Sequence, residues 1–153
     1  MKLDTELLEI STLINEKQFK RDLSEDLKID KVNLVEELSQ QSTLFAWWAT
    51  LAEAAKDLSR KADLKVLLLE AKLGQEFRMI AAKKAIRATE KGLQEQMQRD
   101  ARWLKAVNQK LEARKQASVL AACVVSMAQR ATMLASLSGV FNRDLDLLKE
   151  NSR

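Results

Sequence analysis

The shortage of helix-breaking residues is the feature that most constrains the fold of this chain. Among its 153 residues there is no proline, and there are only three glycines. Proline disrupts a helix interior by removing a backbone donor, and glycine weakens it through backbone entropy. The abundant Ala, Leu, Glu, Lys, Gln and Arg residues lose little side-chain entropy in a helix, and no period-two run of β-branched residues predicts a strand. We therefore expect an all-α fold.

Apolar spacing and capping residues predict where the helices begin and end. A 4-3 spacing of apolar residues, typical of a coiled-coil seam, starts near Leu34 and continues to Ile80. Thr89 and Asp100 can each cap a further helix with a side-chain oxygen. The predicted segments are an acidic N-terminal helix and linker at 1–29, a long helix at about 31–86, a short helix at about 90–98 and a C-terminal helix at about 101–149. The last three form a single helical domain, residues 30–153, as a long helical hairpin of coiled-coil-like helices.

Two of the three tryptophans stand side by side near the start of the long helix. Trp48 falls on the apolar seam, so we expect it to be helix-packing core. Trp47 lies about 100° round the helix, on the flank of the seam. It is predicted to cover a neighbouring helix or subunit rather than to stack on a ligand.

The C-terminal helix contains a stretch that is apolar on every face. Residues 117–128 include no charged side chain. A helix of this kind must be buried on all sides, and a two-helix hairpin cannot supply that much cover. We therefore predict that the chain self-associates through Leu120, Val124 and Met127.

The residue inventory argues against an enzyme. There is no histidine, so the usual general base and imidazole ligand are missing, and there is no phosphate-binding loop of the G-x-x-x-x-G-K-[ST] type. The single cysteine, Cys123, lies among apolar residues and is predicted to be a buried hydrophobe without a disulfide or zinc site. We expect no catalytic residue, no cofactor and no metal.

Several features predict a cytoplasmic protein. A lone cysteine fits a reducing compartment. The N-terminal residues are acidic where a secretory signal is basic. The uncharged stretch at residues 116–129 is shorter than the ~20 apolar residues that span a bilayer.

Charge is distributed unevenly along the chain. Residues 1–55 hold 6 basic and 11 acidic side chains, residues 56–115 hold 16 and 8, and residues 116–153 hold 4 and 3. A basic central block of this kind can bind a polyanion through counterion release, and a solvated helix face is the alternative. The basic residues around the predicted turn are Arg78, Lys83, Lys84 and Arg87. A strand of the polyanion could be held there.

Three groups of residues resemble the UvsY-like recombination mediators of tailed phages over roughly residues 30–144. The first group, at the start of the long helix, is Gln41, Ser42, Leu44, Phe45, Trp47 and Trp48. The second, around the turn, is Arg87, Thr89, Glu90, Leu93, Asp100 and Trp103. The third, in the C-terminal helix, is Arg130, Met133, Leu134, Leu137, Gly139, Arg143 and Asp144.

This resemblance implies a non-enzymatic protein that binds single-stranded DNA. Its partners would be a RecA-like recombinase and the single-stranded-DNA-binding protein that the recombinase must displace. It also implies a ring-like homo-oligomer. By the resemblance, DNA contact extends to Lys65, Lys72 and Arg78, and assembly uses the segment of Met133, Leu134, Leu137 and Phe141.

Two other functions fit the same residues. A structural coiled-coil scaffold or virion assembly protein would have the same helices and a merely solvated basic face. A membrane-surface helix is less favoured, because such helices place aromatic residues and leucines opposite a lysine-rich face, whereas this seam is rich in alanine. If the chain is phage-encoded, its expected location is the host cytoplasm.

Overall fold

A computed structural model describes residues 9–14, 17–85, 87 and 89–150. These residues form two strands and four helices. In chain order the elements are β1 (Glu9–Ile14), β2 (Lys17–Asp22), α1 (Leu23–Leu27), α2 (Leu34–Lys83), α3 (Glu90–Arg99) and α4 (Ala101–Glu150). The predicted helical class is confirmed, and α2 and α4 are 50 residues long each.

The N-terminal segment differs from the expected helix. Within its described part, β1 and β2 pair in an antiparallel hairpin in which Thr12 faces Phe19. The helix prediction for residues 9–14 was therefore wrong, and the rest of that predicted helix lies outside the described residues. The six residue pairs from Glu9–Asp22 to Ile14–Lys17 hold β1 in the hairpin, and the β-branched Ile10 and Thr12 fit the pleated surface of a strand better than a helix.

The chain divides into two compact units at different points from those expected. Unit 1 comprises Met1–Glu53 and Ser118–Arg153, and unit 2 is Ala54–Ala117. The N-terminal segment belongs to unit 1 because its side chains bond to α2. Trp48 Nε1 donates a hydrogen bond to Asp26 Oδ2 at 2.9 Å. The expected boundary after residue 29 is therefore not a division of this structure.

Unit 1 is built on the first part of α2 and the last part of α4, which run antiparallel. Gln41 Nε2 donates to the Met127 carbonyl oxygen at 2.9 Å. Trp48 is fully buried, which confirms the prediction that it packs in the core. Other side chains buried in this unit are Leu23, Leu51, Leu120, Cys123 and Leu134.

Unit 2 contains the rest of α2 and α4, with α3 between them in sequence. Both predicted caps form: Thr89 Oγ1 accepts from the Gly92 amide at 3.2 Å, and Asp100 Oδ1 accepts from the Arg102 amide at 2.8 Å. Buried apolar residues among those described in this unit include Ala55, Val66, Leu73, Leu93 and Ala106. Polar contacts between α2 and α4, such as Trp103 Nε1 to Glu70 Oε1 at 2.9 Å, show that the two helices are antiparallel here as well.

Candidate nucleic-acid interface

Three of the six predicted DNA-binding residues share one face of α2. Lys65, Lys72 and Lys83 are seven and eleven positions apart, so at 3.6 residues per turn they lie within about 20° of each other round the helix. All three side chains are exposed. We call these three residues the basic row. It runs about 27 Å along the helix axis at 1.5 Å per residue.

The basic row keeps most of its charge available. Lys65 Nζ donates to the neutral Gln109 Oε1 at 3.0 Å. Lys72 and Lys83 make no ion pair with any residue that the structure describes. The row can therefore meet an external anion without first breaking an internal ion pair.

The other three predicted DNA-binding residues lie elsewhere in unit 2. Arg78 is on a different face of α2, and its guanidinium pairs with Glu90 Oε1 at 3.0 Å. Lys84 and Arg87 are exposed in the turn that follows α2. The sequence could not separate these positions, because charge density alone does not report on which face of a helix each residue lies.

Acidic residues of unit 2 are largely engaged by neighbouring bases. Asp63 contacts Lys110 Nζ at 3.2 Å and Arg114 at 3.0 Å, and these hydrogen bonds and charges, that of Arg114 above all, hold the pKa of Asp63 below its usual value. Asp100 and Glu76 both bond to Arg102. The bond from Arg102 is the main reason why the pKa of Asp100 is lowered. Unit 2 carries 16 basic and 8 acidic side chains, so an excess of basic groups remains after these pairs.

The predicted oligomerisation residues separate into two groups. Leu120, Met127 and Leu134 are buried within unit 1. They pack in the protomer's own core and cannot contact another subunit while unit 1 keeps this packing, so their assignment to a subunit interface is corrected. Met133 and Phe141 are more than half exposed, and Val124 and Leu137 are half-buried.

Unit 1 exposes a further apolar surface at the start of α2. Val32 is 89% exposed and Val35 is 84% exposed. A groove of about 460 Å³ includes both valines and Phe141, and a second groove of about 560 Å³ includes Met133 and Leu137.

The apolar stretch of α4 is covered on one face only, because Val125 is exposed while Cys123 is buried. Burial raises the pKa of the Cys123 thiol, which keeps it protonated.

Trp47 contacts the N-terminal segment of its own chain. The Arg21 guanidinium lies 4.9 Å from the Trp47 ring centroid, a cation–π distance. Arg21 Nε also donates to Asp26 Oδ2 at 2.6 Å, the same oxygen that accepts from Trp48. The tryptophan pair therefore anchors the segment of β2 and α1 onto α2, and its rings meet edge to face.

Arg130 is a buried arginine at the centre of a hydrogen-bond network. The sequence analysis did not identify this network as a site. Arg130 bonds to Gln41 Oε1 and to Glu37, and it donates to the Lys28 carbonyl oxygen at 3.0 Å. Its Nε has no partner among the described residues. Gln41 and Arg130 belong to two separate groups of the family resemblance, so the structure brings those two groups into contact.

Two further features of the described residues concern metal binding and membrane insertion. Among the described residues, no cluster of three or more His, Cys, Asp or Glu side chains could hold a metal ion. One stretch, Ala101–Asp144, is long and apolar enough to cross a membrane by length and composition, and 28% of its most apolar window is buried. A single helix of this kind is weak support for a membrane span, because core helices of soluble proteins meet the same criterion.

Comparison with known proteins identifies no relative. No protein-family model matches the chain, and no curated protein or solved structure matches it.

Proposed function

We propose that this protein is a non-enzymatic, homo-oligomeric protein that binds single-stranded DNA through the basic row of α2. The observation that carries the proposal is the exposed alignment of Lys65, Lys72 and Lys83 in a unit with excess positive charge. Lysines bind phosphates by releasing condensed counterions, without reading the bases. Lys84 and Arg87 are two further exposed basic residues of unit 2, in the turn beyond α2.

Self-association is proposed from the apolar surface of unit 1. Val32, Val35, Met133 and Phe141 expose large apolar side chains, and contiguous patches of this kind mark interaction sites. A second copy of the chain can cover this surface. Several basic rows on one oligomer can then share one strand, so that the avidity exceeds the affinity of any one row.

A role as recombination mediator is proposed from the family resemblance. In this role the oligomer holds single-stranded DNA in a form on which a RecA-like recombinase can nucleate, while the single-stranded-DNA-binding protein is displaced. The alternative of a structural scaffold or virion assembly protein shares the oligomer but not the DNA binding.

A charge-matched pair of variants tests the DNA contact. The first, K65Q/K72Q/K83Q, removes the basic row, and the control, K91Q/K105Q/K115Q, removes three exposed lysines elsewhere in unit 2. Binding to a fluorescent oligonucleotide is measured at several salt concentrations. We expect the slope of log K against log salt to decrease in magnitude by about 2 for the first variant, since each lost phosphate contact on a single strand contributes about 0.7. If the slope decreased equally in the two variants, the proposal that the basic row is the DNA contact would be refuted.

Native mass measurement and a loading assay test the other two parts. Masses recorded with and without oligonucleotide, at two salt concentrations, report the subunit number and DNA binding together. An oligomer without salt-sensitive DNA binding would favour the scaffold. Mediator action predicts that the protein shortens the lag before a RecA-like recombinase hydrolyses ATP on protein-covered single-stranded DNA, and that K65Q/K72Q/K83Q does not.

A further inference from the structure

The buried side of α4 in unit 1 contains one charged residue. The buried residues that the structure describes there recur in steps of three, four, three and four, which is the spacing of a helix-packing seam. They are Leu120, Cys123, Met127, Arg130 and Leu134. We call these five residues the α4 seam. Arg130 occupies a position that such a seam normally gives to an apolar side chain, and its side chain is 3% exposed.

The acceptors that the structure describes for Arg130 lie on α2 and on the segment before it. Arg130 bonds to Glu37 and to Gln41 Oε1, and it donates to the Lys28 carbonyl oxygen at 3.0 Å. Gln41 is itself buried and donates to the Met127 carbonyl oxygen at 2.9 Å. The positive charge of Arg130 is therefore compensated through the packing of α4 against α2.

A second α4 offers no carboxylate along the same stretch. Residues 113–143 contain neither aspartate nor glutamate. If two α4 seams faced each other in parallel, their Arg130 guanidinium groups would meet as like charges. In an antiparallel pair centred on this stretch, each guanidinium would face apolar side chains. A buried charge without a partner is strongly destabilising, so both pairings are disfavoured.

We propose that Arg130 selects the partner of the α4 seam: it makes α4 pair with α2 and excludes pairing with the α4 of a second copy. A polar residue at one seam position specifies partner and register in paired helices, at a cost in stability. This role explains why the uncharged stretch at residues 117–128 packs within the protomer, although its sequence predicts self-association. The inference does not depend on the proposed DNA contact.

Three substitutions in the α4 seam separate partner selection from a general contribution to stability. R130L makes the seam apolar throughout. R130K keeps a positive charge on the seam but loses the planar donor group that bonds to several acceptors at once. M127A leaves Arg130 in place and destabilises the same seam by truncating a fully buried side chain.

A spin label on α4 reports which helices lie close together. The label is attached at A128C, an exposed position, in a C123A background that holds no other cysteine. Dilution with unlabelled protein identifies the distances that arise between copies. We expect R130L to show an α4-to-α4 distance that the native protein lacks, together with a higher native mass. R130K and M127A are expected to keep the native distances and mass, although both are less stable.

The variant E37L/Q41L/R130L keeps the test decisive if R130L does not fold. Replacement of a buried charged group and its partners by apolar side chains is often neutral for stability, so we expect this variant to remain helical by circular dichroism and to show the α4-to-α4 distance. The proposal is overturned if neither variant shows that distance or if neither remains helical. It is also overturned if R130K or M127A shows the distance as strongly as R130L, since lost stability rather than lost charge would then be the cause.

Discussion

Replacement of Arg130 by methionine is the perturbation that most directly tests how unit 1 is held together. The guanidinium has acceptors on three separate groups: the carboxylate of Glu37, the amide oxygen of Gln41 and the carbonyl oxygen of Lys28. Its side chain is 3% exposed. Methionine keeps much of the volume of the arginine but leaves all three acceptors without this donor.

The expected loss of stability depends on the charge that remains unpaired after Arg130 is replaced. Removing one partner of a buried ion pair costs about 3–5 kcal/mol, because an uncompensated charge remains. The Glu37 side chain is 19% exposed, so water can solvate it in part and the lower end of that range applies. We therefore expect R130M to lower the free energy of unfolding by about 3 kcal/mol. E37Q leaves the buried charge of Arg130 without its carboxylate, and the glutamine oxygen that still accepts from Arg130 offsets only part of that cost, so we expect a loss of about 2 kcal/mol.

Urea unfolding followed by far-ultraviolet circular dichroism measures these losses. All variants are compared at one protein concentration, because self-association would raise apparent stability. R143M is the control: Arg143 is an exposed arginine of α4 whose Nε donates to the Gly139 carbonyl oxygen at 3.3 Å. It is expected to change stability by no more than about 0.5 kcal/mol.

A double-mutant cycle decides whether the charge pair is the cause. R130M/E37Q should cost less than the sum of the two single losses, by about 1–2 kcal/mol, because the residues are in contact. Additive losses would refute the pairing argument, and so would a loss below about 1 kcal/mol for R130M, which is the range of an ordinary neutral hydrogen bond.

Three smaller perturbations test local features of unit 2. A85G should raise stability by about 1 kcal/mol in thermal unfolding, because Ala85 follows α2 with a φ of 53°, where a side chain is disfavoured and glycine is not. T89A should lower the stability of α3 by about 1 kcal/mol, since it removes the cap, and faster amide exchange within α3 would report this. The bond with Arg114 lowers the pKa of Asp63 from 3.8, so its stabilisation is present above that value and is lost as the pH falls through the lower folded-state pKa. D63N should therefore flatten the pH dependence of the urea midpoint below about pH 4, and an unchanged profile would contradict this.

The helices could be predicted from sequence because each depends on local chemistry. Thr89 and Asp100 cap helices with their own side chains, and the absence of proline leaves α2 and α4 uninterrupted. The strand β1 was not predicted, because its stability depends on pairing with β2 rather than on a pattern within six residues. For the same reason, the partner that Arg130 would find on α2 could not be derived from the pattern.

The sequence predicted which region of the chain carries the candidate DNA surface, but not which face of α2 it lies on. Charge counts identify the basic middle of the chain, yet whether a base is available depends on its neighbours. Arg78 and Lys72 are both exposed on α2, but Arg78 has Glu90 as a partner and Lys72 has no described partner. Likewise, Leu120 and Met133 are both apolar residues of α4, and only the folded unit distinguishes the buried one from the exposed one.

The residues that carry the family resemblance have structural roles in this fold. Gln41 and Arg130 bond to each other in the interior of unit 1, Trp48 is core, and Thr89 and Asp100 cap helices. A resemblance that rests on such residues concerns packing and helix capping and says little about which surface binds DNA. The lysines of the basic row lie outside all three groups of residues, and their exposure places no constraint on folding. Substitution of those lysines is therefore the experiment that tests the proposed DNA contact by itself, because it changes the proposed contact surface and leaves the residues of the resemblance intact.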